Sequence, residues 1–343
     1  MGTHGRVLII DGPDELPARL ERRVHELEQR WSRFIPTSEV SRLNRAGGAA
    51  VTVSPETMHL LTCASAGWEA SYGLFDPTIL GDLERAGYDR SFDDLTQTVG
   101  PGPTSSPGPT SSPGQTADAR RAWLARTTSG IETDVEAGWA RLAPGIGFDP
   151  GGIGKGVAAD LIADEALAAG AAGVLVDLGG DVRVAGRPPA SAPHWSIEID
   201  DPLTSRPFDS QSSSDLPIGV VDLAEGAVAT SSRMKRHWTI AGETRHHLID
   251  PRLGQPVDSG VAAVTVVAAL GWQAEVLAKA AFVGGPVQGL GLVAQLGGAA
   301  LLIDEYGHQI AGDGWSRYFR SPDRLAHGHQ APEHMAHELG VPS

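Results

Sequence analysis

The run Gly147-Phe148-Asp149-Pro150-Gly151-Gly152-Ile153-Gly154-Lys155-Gly156, followed by Val157-Ala158-Ala159-Asp160-Leu161, places glycines, two carboxylates and a lysine where a loop turns into a helix. The first turn of a helix carries backbone N–H groups without intrahelical partners, and these attract anions. A phosphate-bearing ligand is the first reading. The chain has only three lysines, at 155, 235 and 279, so a lysine here is a spent resource. A structural reading stays open beside it, with Gly for a tight turn and Lys for a solvated helix start, because neither GxxxxGK[ST] nor GxGxxG after a strand is present.

Four further segments combine residue types that packing alone does not demand. Gly73-Leu74-Phe75-Asp76-Pro77-Thr78 holds an acidic residue extended before proline, or is a common turn signal. Val176-Asp177-Leu178-Gly179-Gly180-Asp181-Val182 reads as a strand ending in a double glycine, which admits a ligand or makes a hairpin turn. Ala229-Thr230-Ser231-Ser232 offers hydroxyls that could hold a phosphate. Arg245-His246-His247-Leu248-Ile249-Asp250-Pro251-Arg252-Leu253-Gly254 carries two histidines, which a strand would send to opposite faces. Only one of them can face a given pocket, and a histidine there can take a proton near neutral pH.

The elements that must position these groups are legible in the periodicity. Leu16, Leu20, Val24, Leu27, Trp31 and Phe34 form one helical stripe, and Ser54-Pro55 caps and opens a second helix through Trp68. These two are expected to pack on a sheet. Further helices are expected over about 154–169 and 271–283. Strands are expected at Val174 to Leu178, Val182 to Ala185, Trp195 to Ile199, Val220 to Leu223, His237 to Ile240, His246 to Ile249, Val261 to Ala268 and Ala299 to Ile303. Strand runs mixed with helices, without a strict alternation, favour an α+β fold over a doubly wound parallel sheet. The Pro-Thr-Ser-Ser-Gly repeat at about 100–116 and the polar stretch at about 204–215 read as disordered loop insertions in a single domain spanning 1–320. Residues 321–343 read as a solvated, histidine-containing tail.

Composition excludes several classes. The 343-residue chain is 41% hydrophobic and 20% charged, as ordinary globular proteins are, and its net charge of −15 argues against nucleic acid as a partner. Cys63 is the only cysteine, which rules out an intrachain disulfide and a cysteine zinc site, and its apolar neighbours mark it as a buried thiol. No membrane span is expected, and the absence of a leader pattern in the first eleven residues makes the cytoplasm the expected compartment.

Taken in order, these segments resemble the ApbE-like flavin transferases. The resemblance rests on Met1-Gly2-Thr3, Trp31-Ser32-Arg33-Phe34, Ser38-Glu39-Val40-Ser41-Arg42-Leu43-Asn44, the Gly-Leu-Phe-Asp-Pro-Thr segment, the Asp149 to Asp160 block, Leu178-Gly179-Gly180-Asp181, Thr230-Ser231, His247 to Gly254 and the helix around Glu275. It implies an ApbE-like α+β fold with mixed or antiparallel sheets flanked by helices. It implies transfer of FMN from FAD onto a Thr or Ser hydroxyl of an acceptor protein, with magnesium assisting and AMP leaving. Met1, Phe34, Leu74, Phe75, Asp76, Asp149, Lys155 and Leu248 would contact FAD, the Gly152 carbonyl would be a metal ligand, and His247 would be the base.

One departure bears on the metal. Where the resemblance implies an aspartate and, four residues on, a threonine as ligands, this chain has Glu275 and Lys279. Positions i and i+4 share a helix face, but a protonated lysine donates and cannot ligate magnesium. An altered metal site at Gly152, Glu275 and Lys279 is therefore expected, with an ordinary helical ion pair as the alternative. Two other functions need the same residues: a magnesium-dependent FAD pyrophosphatase, with water as nucleophile, and a non-catalytic FAD-binding protein.

Overall fold

The computed structural model describes residues 5–91, 126, 128–203, 217–234, 236–240, 243–321 and 337–339. Met1, both expected insertions and His327, His329 and His334 lie outside the described residues. Along the chain, β1 (Gly5–Ile10) leads into helices α1 (Leu16–Trp31) and α2 (Glu39–Arg45). Then come β2 (Val51–Thr52), α3 (Pro55–Ala70), α4 (Leu80–Arg85), β3 (Ile131–Asp134) and β4 (Trp139–Leu142). A short 3-10 turn, Pro150–Gly152, opens α5 (Gly154–Ala168). The strands β5 (Gly173–Leu178), β6 (Asp181–Gly186), β7 (Trp195–Ile199), β8 (Gly219–Leu223) and β9 (Gly226–Ser232) follow. Two small hairpins, β10 (His237–Ile240) with β11 (Glu243–His246) and β12 (Ile249–Asp250) with β13 (Gln255–Pro256), precede β14 (Val261–Ala268) and α6 (Gly271–Gln295). The chain closes with β15 (Ala299–Asp304), β16 (Gln309–Ala311), β17 (Phe319–Arg320) and β18 (His337–Leu339).

The organising element is an eight-stranded sheet in the order β16-β15-β14-β9-β6-β5-β1-β18, antiparallel at every pairing. Side chains alternate across its plane. Val264, Val266, Ala300 and Leu302 point to one face, into the larger core beneath α5 and α6. Val182, Val184, Leu301 and Ile303 point to the other, into a second core closed by Trp195, Ile197, Val221 and Trp315. The second core is covered by the small sheet β17-β8-β7. All eight residues of β14 are buried, as a central strand between two cores requires. The expected α+β class with antiparallel sheets is what the chain adopts.

Several expectations are corrected. The stripe of α1 packs chiefly on α5 rather than on the large sheet, and α3 lies against α6 and the small sheet β2-β4-β3. The large sheet's helix face is already taken by α5 and α6, so α1 and α3 form an outer layer. Helix α6 runs beyond Val283 to Gln295 through a kink, where Gly285 has φ +68° and Pro286 follows. Among the described residues α6 is also the one helix long and apolar enough to cross a membrane, contrary to the expectation that no stretch reaches that length; 67% of its apolar window is buried inside the fold. His337–Leu339, placed in the tail, pairs with β1 as an edge strand. The expected strand from His246 to Ile249 is interrupted: β11 ends at His246 and β12 begins at Ile249, with His247 and Leu248 between them.

The double glycine is a hairpin turn. Leu178 pairs with Asp181 across β5 and β6, and the two loop residues Gly179 and Gly180 have φ of +67° and +89°. A two-residue loop with positive φ at both positions matches the twist of the strands it joins. Its product is positional, because Asp181 is set at the start of β6, facing α5.

Candidate active site

The loop before α5 is held by a side chain more than a hundred residues upstream. Asn44, at the end of α2, donates Nδ2–H to the Phe148 carbonyl at 2.9 Å and accepts the Phe148 N–H on Oδ1 at 2.7 Å. Ser38 caps α2 by accepting the Ser41 N–H at 2.9 Å, so the quoted Ser38 to Asn44 segment is a clamp rather than a ligand site. Asp149, next after Phe148, pairs with Arg33 Nε at 3.0 Å. Arg33 in turn donates to the Tyr88 carbonyl at 2.8 Å, and its guanidinium lies 4.2 Å from the Phe34 ring centre and 4.6 Å from that of Tyr88. Tyr88 stacks on Trp238 at 5.4 Å.

These groups border a cavity of about 440 Å³, within the range of roughly 300–1,000 Å³ usual for small-molecule sites. Phe34, Leu74, Phe75, Asp76, Asp149, Gly152, Lys155, His247, Leu248 and Lys279 all line it. Every cofactor or catalytic residue expected from the sequence is therefore in one place, apart from Met1. The Thr230 to Ser232 hydroxyls are not at the cavity: they belong to β9, with Thr230 Oγ1 2.9 Å from Thr265 Oγ1 on β14 and Ser231 and Ser232 buried. Cavity residues without a sequence signal include Tyr88 and Arg236. Arg126, which pairs with buried Asp76 and donates to the Ser129 carbonyl at 2.8 Å, follows the Pro-Thr-Ser insertion, where no local pattern announces it. Arg33 lies inside the Trp31 to Phe34 motif, whose pattern does not announce its pairing with Asp149.

The two histidines separate as the pleat argument required, although the strand itself breaks. His246 Nε2 is 3.0 Å from the Val257 carbonyl and its Nδ1 accepts the Leu248 N–H at 3.3 Å, so both ring nitrogens are used structurally. His247 Nδ1 lies 3.2 Å from the Arg236 carbonyl. A carbonyl only accepts, so Nδ1 carries the proton and Nε2 is left as the acceptor. Burial, then the Arg236 and Lys279 charges, push the His247 pKa well below its ordinary value. The imidazole is neutral at neutral pH, the state in which it can take a proton.

At the floor of the cavity two ammonium groups flank one carboxylate. Glu275 Oε1 receives Lys155 Nζ at 2.9 Å and Lys279 Nζ at 3.2 Å, while Oε2 accepts the Gly156 N–H at 2.8 Å. Lys155 also pairs with Asp181. Burial would pull the Lys155 pKa down, but Asp181 and Glu275 outweigh it and raise it. Burial would raise Glu275, but Lys155 and Lys279 hold it below the usual carboxylate range. The helix N-terminus that the sequence offered to a phosphate thus has an internal anion at one of its N–H groups.

The donor set does not fit the divalent cation that the resemblance implies. Both Glu275 oxygens are engaged by donors, one candidate ligand is itself a cation, and Asp181 is committed to Lys155. Among the described residues no group of three or more His, Cys, Asp or Glu side chains is arranged to hold a metal ion.

The ApbE family model matches residues 1–303. A protein named FAD:protein FMN transferase from Vibrio cholerae is 25% identical over 84% of this chain and 81% of its own length, and one from Klebsiella pneumoniae is 27% identical over 72% and 70%. Among solved structures, an ApbE protein from Thermotoga maritima superimposes with a TM-score of 0.75 at 25% identity, covering 93% of this chain and 97% of the other. The Pseudomonas stutzeri flavinyl transferase ApbE gives 0.70 at 25% identity over 91% and 92%. A match that runs from the first residue into β15, together with a shared fold over nearly the full length of both chains, makes this protein a member of the ApbE family.

Proposed function

We propose that this chain is a transferase that moves FMN from FAD onto a Thr or Ser hydroxyl of an acceptor protein. The family membership and the names of its relatives support the reaction class. The observation that carries it to this chain is the sharing of one cavity by a neutral histidine with a proton-accepting Nε2 and two ammonium groups suited to a diphosphate.

The acceptor hydroxyl oxygen attacks the phosphorus on the FMN side of the diphosphate. His247 Nε2 takes the hydroxyl proton, the bridging P–O bond breaks, and AMP leaves with the bridging oxygen. Such a transfer asks the protein for position and charge neutralisation more than for covalent help. Lys155 and Lys279 supply charge at the cavity floor. The aromatic surface of Phe34 and the apolar walls Leu74, Phe75 and Leu248 offer contact to a flat ring system.

The test mixes purified protein, FAD and a candidate acceptor and looks for flavin fluorescence that survives denaturing electrophoresis. A fluorescent acceptor band that His247→Ala abolishes is the expected result. Release of FMN and AMP at the same rate without acceptor would instead make water the nucleophile, and no consumption of FAD under either condition would overturn the transferase reading.

A further inference from the structure

We infer that Lys279 serves as a built-in cation for the dinucleotide, so that this chain grips the FAD diphosphate without a divalent metal. The inference rests on the proposed FAD reaction and concerns how the same site holds its substrate.

Depth in the wall is the first argument. Lys155 and Lys279 line the cavity, whereas Glu275 and Asp181 do not; the ammonium groups lie between those carboxylates and the ligand space. A metal ion seeking Glu275 from the cavity would have to displace both lysines and the Gly156 N–H. Packing is the second argument. A Cβ built on Gly152 would lie 3.2 Å from Lys279 Cδ and 3.3 Å from its Cε, so the lysine stem fills the space beside the very residue whose carbonyl a metal would need. Lys279 is therefore seated by packing as well as by charge.

Charge balance is the third argument. Lys155, Lys279 and Arg236 face the cavity, and only Glu275 and Asp181 among the carboxylates at this floor offset them. Among these five groups one positive charge is in excess, while Asp149 and Asp76, also in the cavity wall, are paired with Arg33 and Arg126. Removing Lys279 cancels that excess without stranding Glu275, which keeps Lys155 and the Gly156 N–H. That is why a Lys279 variant can fold while losing the anion.

The experiment titrates FAD into the full chain by calorimetry, first in EDTA and then in excess magnesium, for wild type and Lys279→Met. Equal wild-type affinity in the two buffers, with a loss of tenfold or more in Lys279→Met, about 1.4 kcal/mol, is the expected result. Thermal melts of both proteins check that the variant is folded; if it is not, Lys279→Thr replaces it, and the wild-type comparison alone still decides the metal question. Wild-type binding that collapses in EDTA and returns with magnesium would overturn the inference while leaving the transferase reading intact. So would metal-independent binding that Lys279→Met leaves unchanged. An absence of FAD binding in both buffers would overturn the inference and the proposed function together.

Discussion

The Asp160 carboxylate closes the N-terminus of α6 from a helix 111 residues away: Oδ1 accepts the Gly271 N–H at 2.7 Å, and Oδ2 accepts the Trp272 N–H at 3.0 Å. Arg183 Nε lies 3.2 Å from the same Oδ1. The contact ties α5, which carries Lys155, to α6, which carries Glu275 and Lys279. Burial raises the Asp160 carboxyl, while the two N–H groups and Arg183 pull it down, so the value of the contact lies in the donors it satisfies. Asp160→Ala would leave two helix N–H groups short of an acceptor and buried Arg183 short of a counter-charge. The expected cost is about 3 kcal/mol, read from denaturant unfolding, with the midpoint lowered and the slope unchanged.

Gly156 and Gly271 let the same two helices touch backbone to backbone. A Cβ at Gly156 would stand 2.4 Å from the Gly271 oxygen, a clash that no rotamer can relieve because both partners are main chain. Gly156→Ala is expected to destabilise by about 1–3 kcal/mol. It should also weaken FAD binding by more than Asp160→Ala does, since it displaces the N–H that holds Glu275; calorimetry on the folded fraction compares the two.

His247 sets an acid limit on activity. Its folded pKa lies below that of the unfolded chain, so the unfolded state binds the extra proton first as pH falls. Stability contributed by the neutral imidazole is present above the ordinary histidine pKa and declines as pH drops through it. Transfer activity, which needs the neutral ring, should hold to lower pH than an exposed histidine would allow and fall only below the ordinary value. A pH–rate profile checks the first statement. Melting temperatures of wild type and His247→Gln across the same range check the second, the variant being expected to lose the acid slope.

Cys63 should be inert while the chain is folded. The thiol is buried in α3, and burial, with the Asp160 charge adding to it, pushes its pKa up to about 12. The thiolate is the reactive form, so thiol reagents should label the native protein far more slowly than the denaturant-unfolded one. Fast labelling of native protein, followed by mass, would contradict this.

How much of the site was legible follows from which forces are local. The Gly147 to Gly156 loop, the Ser54 cap and the stripes of α1 and α3 are short-range patterns that the structure uses, although α1 stops at Trp31 and leaves Phe34, counted in its stripe, beyond the helix end. Ten cavity residues that the family resemblance singled out line one space. Arg33, Tyr88, Arg126 and Arg236 were not legible in the same way. Their roles depend on partners such as Asp149, Trp238 and Asp76, drawn from distant segments, and no spacing rule encodes those meetings.

From the chain alone came the α+β class, the candidate base and the oddity of a lysine four residues after a glutamate. Each is set by residue chemistry or by a period of two or 3.6, and these act over a few residues. Tertiary structure alone decided which histidine faces the cavity, that Thr230 meets Thr265 across the sheet while Ser231 and Ser232 are buried, and that Lys155 and Lys279 converge on one carboxylate. Those outcomes depend on strand breaks, helix crossings and the low-dielectric interior, where a buried charge must find its partner however far away in sequence that partner lies.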